Sequence, residues 1–242
     1  MTYLLLSAGG TMHRISLIQL SAVDSTNTYA KNNFSSLALP SLIIAEKQTA
    51  GRGRQGKSFY SPEGTGLYMT LVFEAPQNCT LLTPAAAVAV CKSLEKLGAE
   101  PKIKWVNDIF IDGLKVCGIL TECFSSGGRP YIALGIGINL TTAVFPDELK
   151  TAGSVNLSCD KAKLAFDISD KILEYAQNGD DNFIIEEYKN RLFVVGKQIS
   201  YTKNNIEYKA TVKGINSQCN LIVERDDGFA DILSSGEISI KI

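Results

Sequence analysis

Three cations stand within six residues in Gly51-Arg52-Gly53-Arg54-Gln55-Gly56-Lys57-Ser58, in a chain whose 24 Lys plus Arg against 25 Asp plus Glu leave a formal charge of −1. Cations gathered on a glycine-rich segment of an otherwise balanced protein suit closure over an anionic ligand. Taken alone, the segment fits a solvated surface loop equally well. The eight residues also match G-x-x-x-x-G-K-S, the phosphate loop of nucleotide hydrolases, and the first six match the dinucleotide pattern G-x-G-x-x-G, with Glu74 near the spacing of a ribose-binding acid. Both motifs need a helix to open at the last glycine, because its N-terminus supplies the amides and partial positive charge that hold phosphate. The continuation here is Phe59-Tyr60-Ser61-Pro62-Glu63-Gly64-Thr65-Gly66. A proline and two glycines in eight residues cannot make that helix, so both readings are set aside.

A second constellation is Lys104-Trp105-Val106-Asn107-Asp108 followed by Lys115. A turn at Asp112-Gly113 would bring Lys115 back alongside residues 107–109, so that a carboxylate, an amide and ammonium groups converge; the plainer alternative is a polar turn with scattered lysines. A third is Gly135-Ile136-Gly137-Ile138-Asn139. Two glycines in an apolar strand remove side chains and let a ligand approach the backbone, or else mark a bulge. Asp24-Ser25-Thr26-Asn27 carries residue types that open helices, so Ser25 could serve only as an N-cap. The single histidine, His13, disfavours a Ser-His-Asp triad, a Cys-His pair and a His-rich zinc site.

Elements must hold these groups together. Strand patterns run over residues 15–20, 41–48 and 67–73, with a short polar helix after the first and the basic loop 49–66 before the third. Thr83 as N-cap, Pro84 at the first helical position and Gly98 past the end bracket an alanine-rich helix. Runs at 102–106, 109–112, 115–124 and 131–140, separated by Asn107-Asp108, Asp112-Gly113 and Gly127-Gly128, read as an antiparallel meander. Residues 160–177 and 181–192 have helical spacing. From 197 onward, short alternating segments with turns at Asn204-Asn205, Asp226-Asp227-Gly228 and Ser234-Ser235-Gly236 suggest a small β-barrel that needs docking for stability. The expectation is an α+β fold, a mixed or antiparallel sheet packed with helices over residues 1–195, plus a C-terminal β-barrel over 196–242.

With 242 residues, 45% hydrophobic and 20% charged, the chain is neither disordered, collagenous nor a coiled coil. Burying about 70 to 75% of its unfolded surface, it needs no metal or disulfide for a core. Near-zero charge provides no global field toward nucleic acid or membrane. The six cysteines form no C-x-x-C pair and read as reduced thiols of a cytosolic protein. Leu4-Leu5-Leu6 is too short and unflanked for a signal peptide, and no run reaches the ~18 apolar residues of a membrane span. A cytoplasmic location is expected, with Met1 or Met12 as the start.

In this order, Asp24-Ser25-Thr26-Asn27, Gln48 before GRGRQG, KWVND with Lys115 and GILTE, then GIGIN closely resemble the biotin protein ligases over residues 23–139, in the short form without an N-terminal DNA-binding domain. Ser235-Gly236-Glu237-Ile238-Ser239 resembles the end of that family's small C-terminal barrel. The resemblance implies a catalytic domain like that of class II aminoacyl-tRNA synthetases. It also implies a two-step reaction: biotin and MgATP give biotinoyl-5′-adenylate and pyrophosphate, then the acyl group passes to one lysine of a biotin carboxyl carrier domain. A carboxylate is already ionised at neutral pH and can attack phosphorus itself, so the catalyst needs cations and positioning rather than a base.

By similarity, Arg54 and Lys115 would be catalytic, and Arg52, Gly53, Gly118, Gly135 and Gly137 would join them around biotin, with Ser25, Thr26, Asn27 and Gln48 on its ureido ring. Gly51, Lys57, Phe59, Lys104, Asn107, Asp108 and Asn139 would face ATP, Asn139 meeting adenine and Asp108 holding magnesium. Departures from the family pattern are Phe59-Tyr60 where a tryptophan and second aromatic are common, Lys57-Ser58 where two basic residues are, and Val106 in place of proline. Competing readings are a lipoate-type ligase and a non-catalytic biotin-binding regulator. A DNA-binding role is not expected, because 22 residues precede Val23, against the ~60 of a winged helix. The protein is expected as a monomer or homodimer.

Overall fold

The computed structural model describes residues 2–4 and 13–240. The alternative starts Met1 and Met12, and the last two residues of the expected terminal strand, lie outside them. Strands β1 (Thr2–Leu4), β2 (Arg14–Leu20), β3 (Ser41–Ala45), β4 (Gly66–Glu74), β5 (Lys102–Lys104), β6 (Asp108–Ile111), β7 (Leu114–Ser126) and β8 (Arg129–Asn139) form one sheet. Its order is β1-β2-β3-β4-β8-β7-β6-β5. Among the described strands, only β2 and β3 pair in parallel, because helix α1 (Thr26–Asn32) crosses between them. This single crossover sets the site: Ser25 follows the end of β2, Gln48 follows the end of β3, and a bridge from Val23 to Gln48 keeps the two ends together.

Period-two alternation divides the sheet into two faces. Leu67, Leu71, Ile119, Ile132, Leu134, Ile136 and Ile138 pack into the main core with α2 (Leu82–Glu95) and α3 (Lys161–Asn178). Helix α2 is buried almost all round, which its alanines at 85, 86, 87 and 89 permit by letting it sit close to the strands. On the opposite face stand Thr70, Gly118, Leu120, Gly135, Gly137 and Asn139. Here α1 lies near β4 and β8.

The expected hairpins form. Asp112 and Gly113 have φ of 50° and 77°, and Gly127 and Gly128 have 57° and 76°, the left-handed pair that a two-residue hairpin turn requires. Helix α2 differs at its start: it begins at Leu82, one residue before the expected cap Thr83, with Leu81 in the capping position. The Thr83 hydroxyl is instead 2.9 Å from that of Thr121 on β7. Pro84 remains in the first turn, where its missing N–H costs nothing.

After α4 (Asp181–Arg191), strands β9 (Gln198–Lys203), β10 (Ile206–Ile215), β11 (Leu221–Arg225), β12 (Ala230–Leu233) and β13 (Ile238–Ile240) make an antiparallel sheet of order β12-β11-β10-β9-β13. A register shift at Val212/Gly214 bends β10. The sheet curls enough that Tyr201 and Lys203 on β9 both donate to Asp231 on β12, each at 2.5 Å. Its inner residues continue the main core, and Trp105 Nε1 donates to the Cys219 carbonyl at 2.9 Å.

Candidate active site

Every residue singled out for binding or catalysis except Gly51 lines one cleft of about 380 Å³ on the open face of the large sheet. Gly51 works behind it: a Cβ there would overlap the Phe59 carbonyl and come within 2.8 Å of Ser61 Oγ. Only a glycine lets the chain fold back so that Phe59 N donates to the Gly51 carbonyl at 2.8 Å. No α-helix follows Gly56, as the proline and glycines require. Arg54–Gly56 make one short 3-10 turn, with Gln55 and Gly56 at positive φ.

Two cations from distant stretches bracket the Asn107-Asp108 turn. The Arg54 guanidinium donates to Asn107 Oδ1 at 3.0 Å, and Asn107 Nδ2 is anchored on the Ile119 carbonyl at 2.8 Å. Lys115 Nζ stands 2.8 Å from Asp108 Oδ1. That approach is off the hydrogen-bonding direction, so Oδ1 is buried without a hydrogen bond; the pair is held by charge and can be re-partnered by an anion. Lys104 lies across from Asp108 in the strand register, and burial lowers its pKa against the pull of the Asp108 charge. Residues 149–153, which carried no sequence signal, wall the cleft here: Lys115 N donates to the Thr151 carbonyl at 2.7 Å and Gly153 N to the Lys115 carbonyl at 2.9 Å.

The inner slot is floored by glycine. Gly118 and Gly137 are cross-strand partners, and the Phe59 ring lies over both: a Cβ on Gly118 would come within 3.2 Å of it and one on Gly137 within 2.5 Å. Phe59 therefore belongs to the slot as much as to its mouth. Gly135 makes room for Asn27, whose amide would overlap any side chain there.

Ser25 holds the N-cap position of α1, yet its hydroxyl makes no cap bond. It is buried beside the cleft with a hydroxyl not spent on the helix. Gln48 Oε1 accepts from Thr26 N at 2.9 Å, while Gln48 Nε2 donates to Ser61 Oγ at 2.9 Å. At the end of β8, Asn139 Nδ2 donates to the Gly153 carbonyl at 3.0 Å, and its Oδ1 is buried with no partner. An unmet acceptor on a cleft wall suits a ligand N–H.

Sequence reasoning assigned no role to Thr70, Glu122 or Glu237. Glu122, the last residue of GILTE, lies 2.9 Å from Lys31 Nζ and 3.2 Å from Arg52 Nη1 and accepts from Asn27 Nδ2 at 2.9 Å. Burial raises its pKa, but the bonds from Asn27 and Lys31 and the Arg52 charge outweigh this and hold it below the usual value. Glu237 pairs with Lys57, tying the basic loop to the C-terminal sheet. No cluster of three or more metal-ligating His, Cys, Asp or Glu exists among the described residues, and no described helix is long and apolar enough to cross a membrane.

A glycine-floored cleft lined by Arg54 and Lys115 thus lies on a mixed sheet, with a five-stranded antiparallel sheet as a second module. Residues 20–139 match the biotin/lipoate A/B protein ligase family. It is 44% identical over 116 residues to the bifunctional ligase/repressor BirA of Bacillus subtilis, a match covering 45% of this chain but 36% of that protein. Against BirA of Escherichia coli it is 28% identical over 240 residues, covering 93% of this chain and 74% of the relative. The chain thus spans about a third of the Bacillus relative's length. The fold is shared with biotin protein ligase from Aquifex aeolicus, solved in complex with biotin and ATP: TM-score 0.77, 23% identity, 93% of this chain and 98% of that one covered.

Proposed function

We propose that this protein activates biotin with MgATP to biotinoyl-5′-adenylate and transfers the biotinoyl group to one lysine of a biotin carboxyl carrier domain. The observation that carries this is the meeting of Arg54 and Lys115 at the Asn107-Asp108 turn, at the mouth of a slot floored by Gly118 and Gly137. One carboxylate oxygen of biotin attacks the α-phosphorus and pyrophosphate leaves. Arg54 and Lys115 bring the two anions together and hold the charge that develops on phosphoryl oxygens. The acceptor amine then attacks the acyl carbon, AMP leaves, and the amine proton passes to solvent or Asp108.

In this reading Ser25, Thr26 and Gln48 hold the ureido ring, Arg52 and Gly53 close over the acyl phosphate, and Asn139 Oδ1 accepts from adenine. Phe59 covers the intermediate and keeps water from the mixed anhydride. Asp108 would hold magnesium through Oδ1, which faces Lys115 Nζ at 2.8 Å and would be released as Lys115 turns to the phosphates; the metal would supply charge neutralisation there. Residues 1–195 would form the catalytic unit and 196–242 the docked module, acting in the cytoplasm without DNA or membrane, as monomer or homodimer. The test is mass spectrometry of a carrier domain incubated with protein, ATP, magnesium and biotin. A gain of one biotinoyl group is expected; an unmodified carrier domain, with the protein folded, rejects the function.

A further inference from the structure

Strand β4 carries a hydroxyl that does not reach the cleft. Thr70 is fully buried, pairs across the sheet with Gly135 and lies beneath α1. Its Oγ1 is 2.6 Å from Asn27 Oδ1 and 2.8 Å from Thr26 Oγ1, and Thr26 Oγ1 is 3.1 Å from Gln48 Oε1. Three oxygen-to-oxygen contacts share the two hydroxyl protons of Thr70 and Thr26, because the amide oxygens have none to give.

The surroundings decide where those protons go. Asn27 Nδ2 faces only acceptors: Glu122 at 2.9 Å and the carbonyls of Leu120 at 3.4 Å and Ala133 at 3.5 Å. Turning the amide over would set its oxygen against all three, so Oδ1 stays on the Thr70 side and takes that proton. Gln48 is fixed in the same way, its Nε2 donating to Ser61 Oγ and Ser61 donating onward to the Phe59 carbonyl at 3.0 Å. With the Thr70 proton committed to Asn27, the Thr26 proton has two acceptors within reach, Thr70 Oγ1 at 2.8 Å and Gln48 Oε1 at 3.1 Å, and the shorter contact, at the usual O–H···O distance, takes it. The run is therefore Thr26 to Thr70 to Asn27. Facing the cleft it leaves acceptors, the lone pairs of Thr26 Oγ1 and the second lone pair of Gln48 Oε1.

We infer that Thr70 is a positioning residue for ligand choice: by drawing the Thr26 proton inward, it makes the inner end of the cleft an acceptor surface that selects a ring bearing N–H groups, such as a cyclic urea, over a ring without donors, such as a dithiolane. The inference rests on the cleft being the biotin site. Thr70 acts through Thr26 and touches no ligand. Without its hydroxyl, the Thr26 proton turns to Gln48 Oε1, and the two acceptors satisfy each other instead of the ligand.

Isothermal titration of the full chain with biotin and with lipoic acid, without ATP, tests this in the wild type, Thr70→Val and Thr70→Ser. The valine variant is expected to bind biotin about tenfold or more weakly, with lipoic acid changed by less than about threefold and serine restoring biotin binding to within about threefold. In turnover, KM for biotin rises while kcat and KM for ATP hold within about twofold. Where the valine variant fails to melt cooperatively, Thr70→Ala is read by the same criteria. Unchanged biotin affinity without the hydroxyl, or a serine variant as weak as valine, overturns the inference. A wild type that binds no biotin overturns the site reading itself, and is recognised before any variant is compared.

Discussion

Gly135→Ala is expected to destabilise the protein and weaken biotin binding together, because the added methyl has nowhere to go. A Cβ built at Gly135 overlaps Asn27 Oδ1 and sits 3.0 Å from Asn27 Cγ and 3.1 Å from Nδ2. The strand cannot retreat, since Gly135 is paired with Thr70 on one side and Leu120 on the other, inside the large sheet. Asn27 cannot retreat without giving up Thr70 at 2.6 Å or Glu122 at 2.9 Å. Overpacking of this kind costs about 1 to 3 kcal/mol, and a lost hydrogen bond to a carboxylate about 1.5 to 3 kcal/mol. Moving Asn27 relieves part of the overlap, so the two do not add in full, and about 2 to 4 kcal/mol is expected. For a chain of this length that lowers Tm by roughly 5 to 15 °C, readable by calorimetry. Titration should show biotin binding weaker by about tenfold or more, as Thr26 shifts with its neighbour. A variant melting within about 1 °C of wild type, with biotin affinity intact, would refute the claim that Asn27 is locked.

Two further outcomes follow from the titrating groups. Burial works against ionisation of Asp167, yet hydrogen bonds from Lys171, Lys96 and Ser93 bring its pKa down to about 2 from 3.8. A depressed carboxylate stabilises the fold above its unfolded pKa and stops doing so as pH falls. The stability gap between wild type and Asp167→Asn in urea unfolding should therefore be constant above about pH 5 and shrink from about pH 4 toward about pH 2; a gap that widens on acidification would contradict the assignment. Among the thiols, Cys79 and Cys123 are exposed whereas Cys91, Cys117 and Cys219 are buried, and burial pushes Cys91 and Cys219 up to about 12. A disulfide reagent with peptide mapping should label the first two in the folded protein and the other three only on unfolding. Rapid native labelling of Cys117 would show that the core beneath β7 opens.

Residues of unusual type for their setting were the legible ones. Asp112-Gly113 and Gly127-Gly128 break apolar strands and permit left-handed φ, so the hairpin that returns Lys115 to Asp108 could be read directly. Glycines at 118, 135 and 137 in otherwise apolar runs marked where the sheet lacks side chains, the places that Phe59 and Asn27 fill. Thr70 could not be read, since a threonine in a strand is ordinary and its role depends on α1 lying across it. Glu122 was visible only as a motif's last letter, because its partners Lys31 and Arg52 come from two other segments. Residues 141–159 have no period to detect, and their place against Lys115 follows from backbone pairing alone. Thr83 misled because its hydroxyl found a tertiary partner in Thr121 in place of the helix end.

Biotin-dependent exchange of labelled pyrophosphate into ATP isolates the first half-reaction and needs no carrier domain. Wild type should exchange label only when biotin and magnesium are both present, and Arg54→Ala and Lys115→Ala should each lower the rate by at least about tenfold, or about 1.4 kcal/mol of barrier. Exchange at the wild-type rate in both variants would mean that the two cations meeting at Asn107-Asp108 do not carry the chemistry.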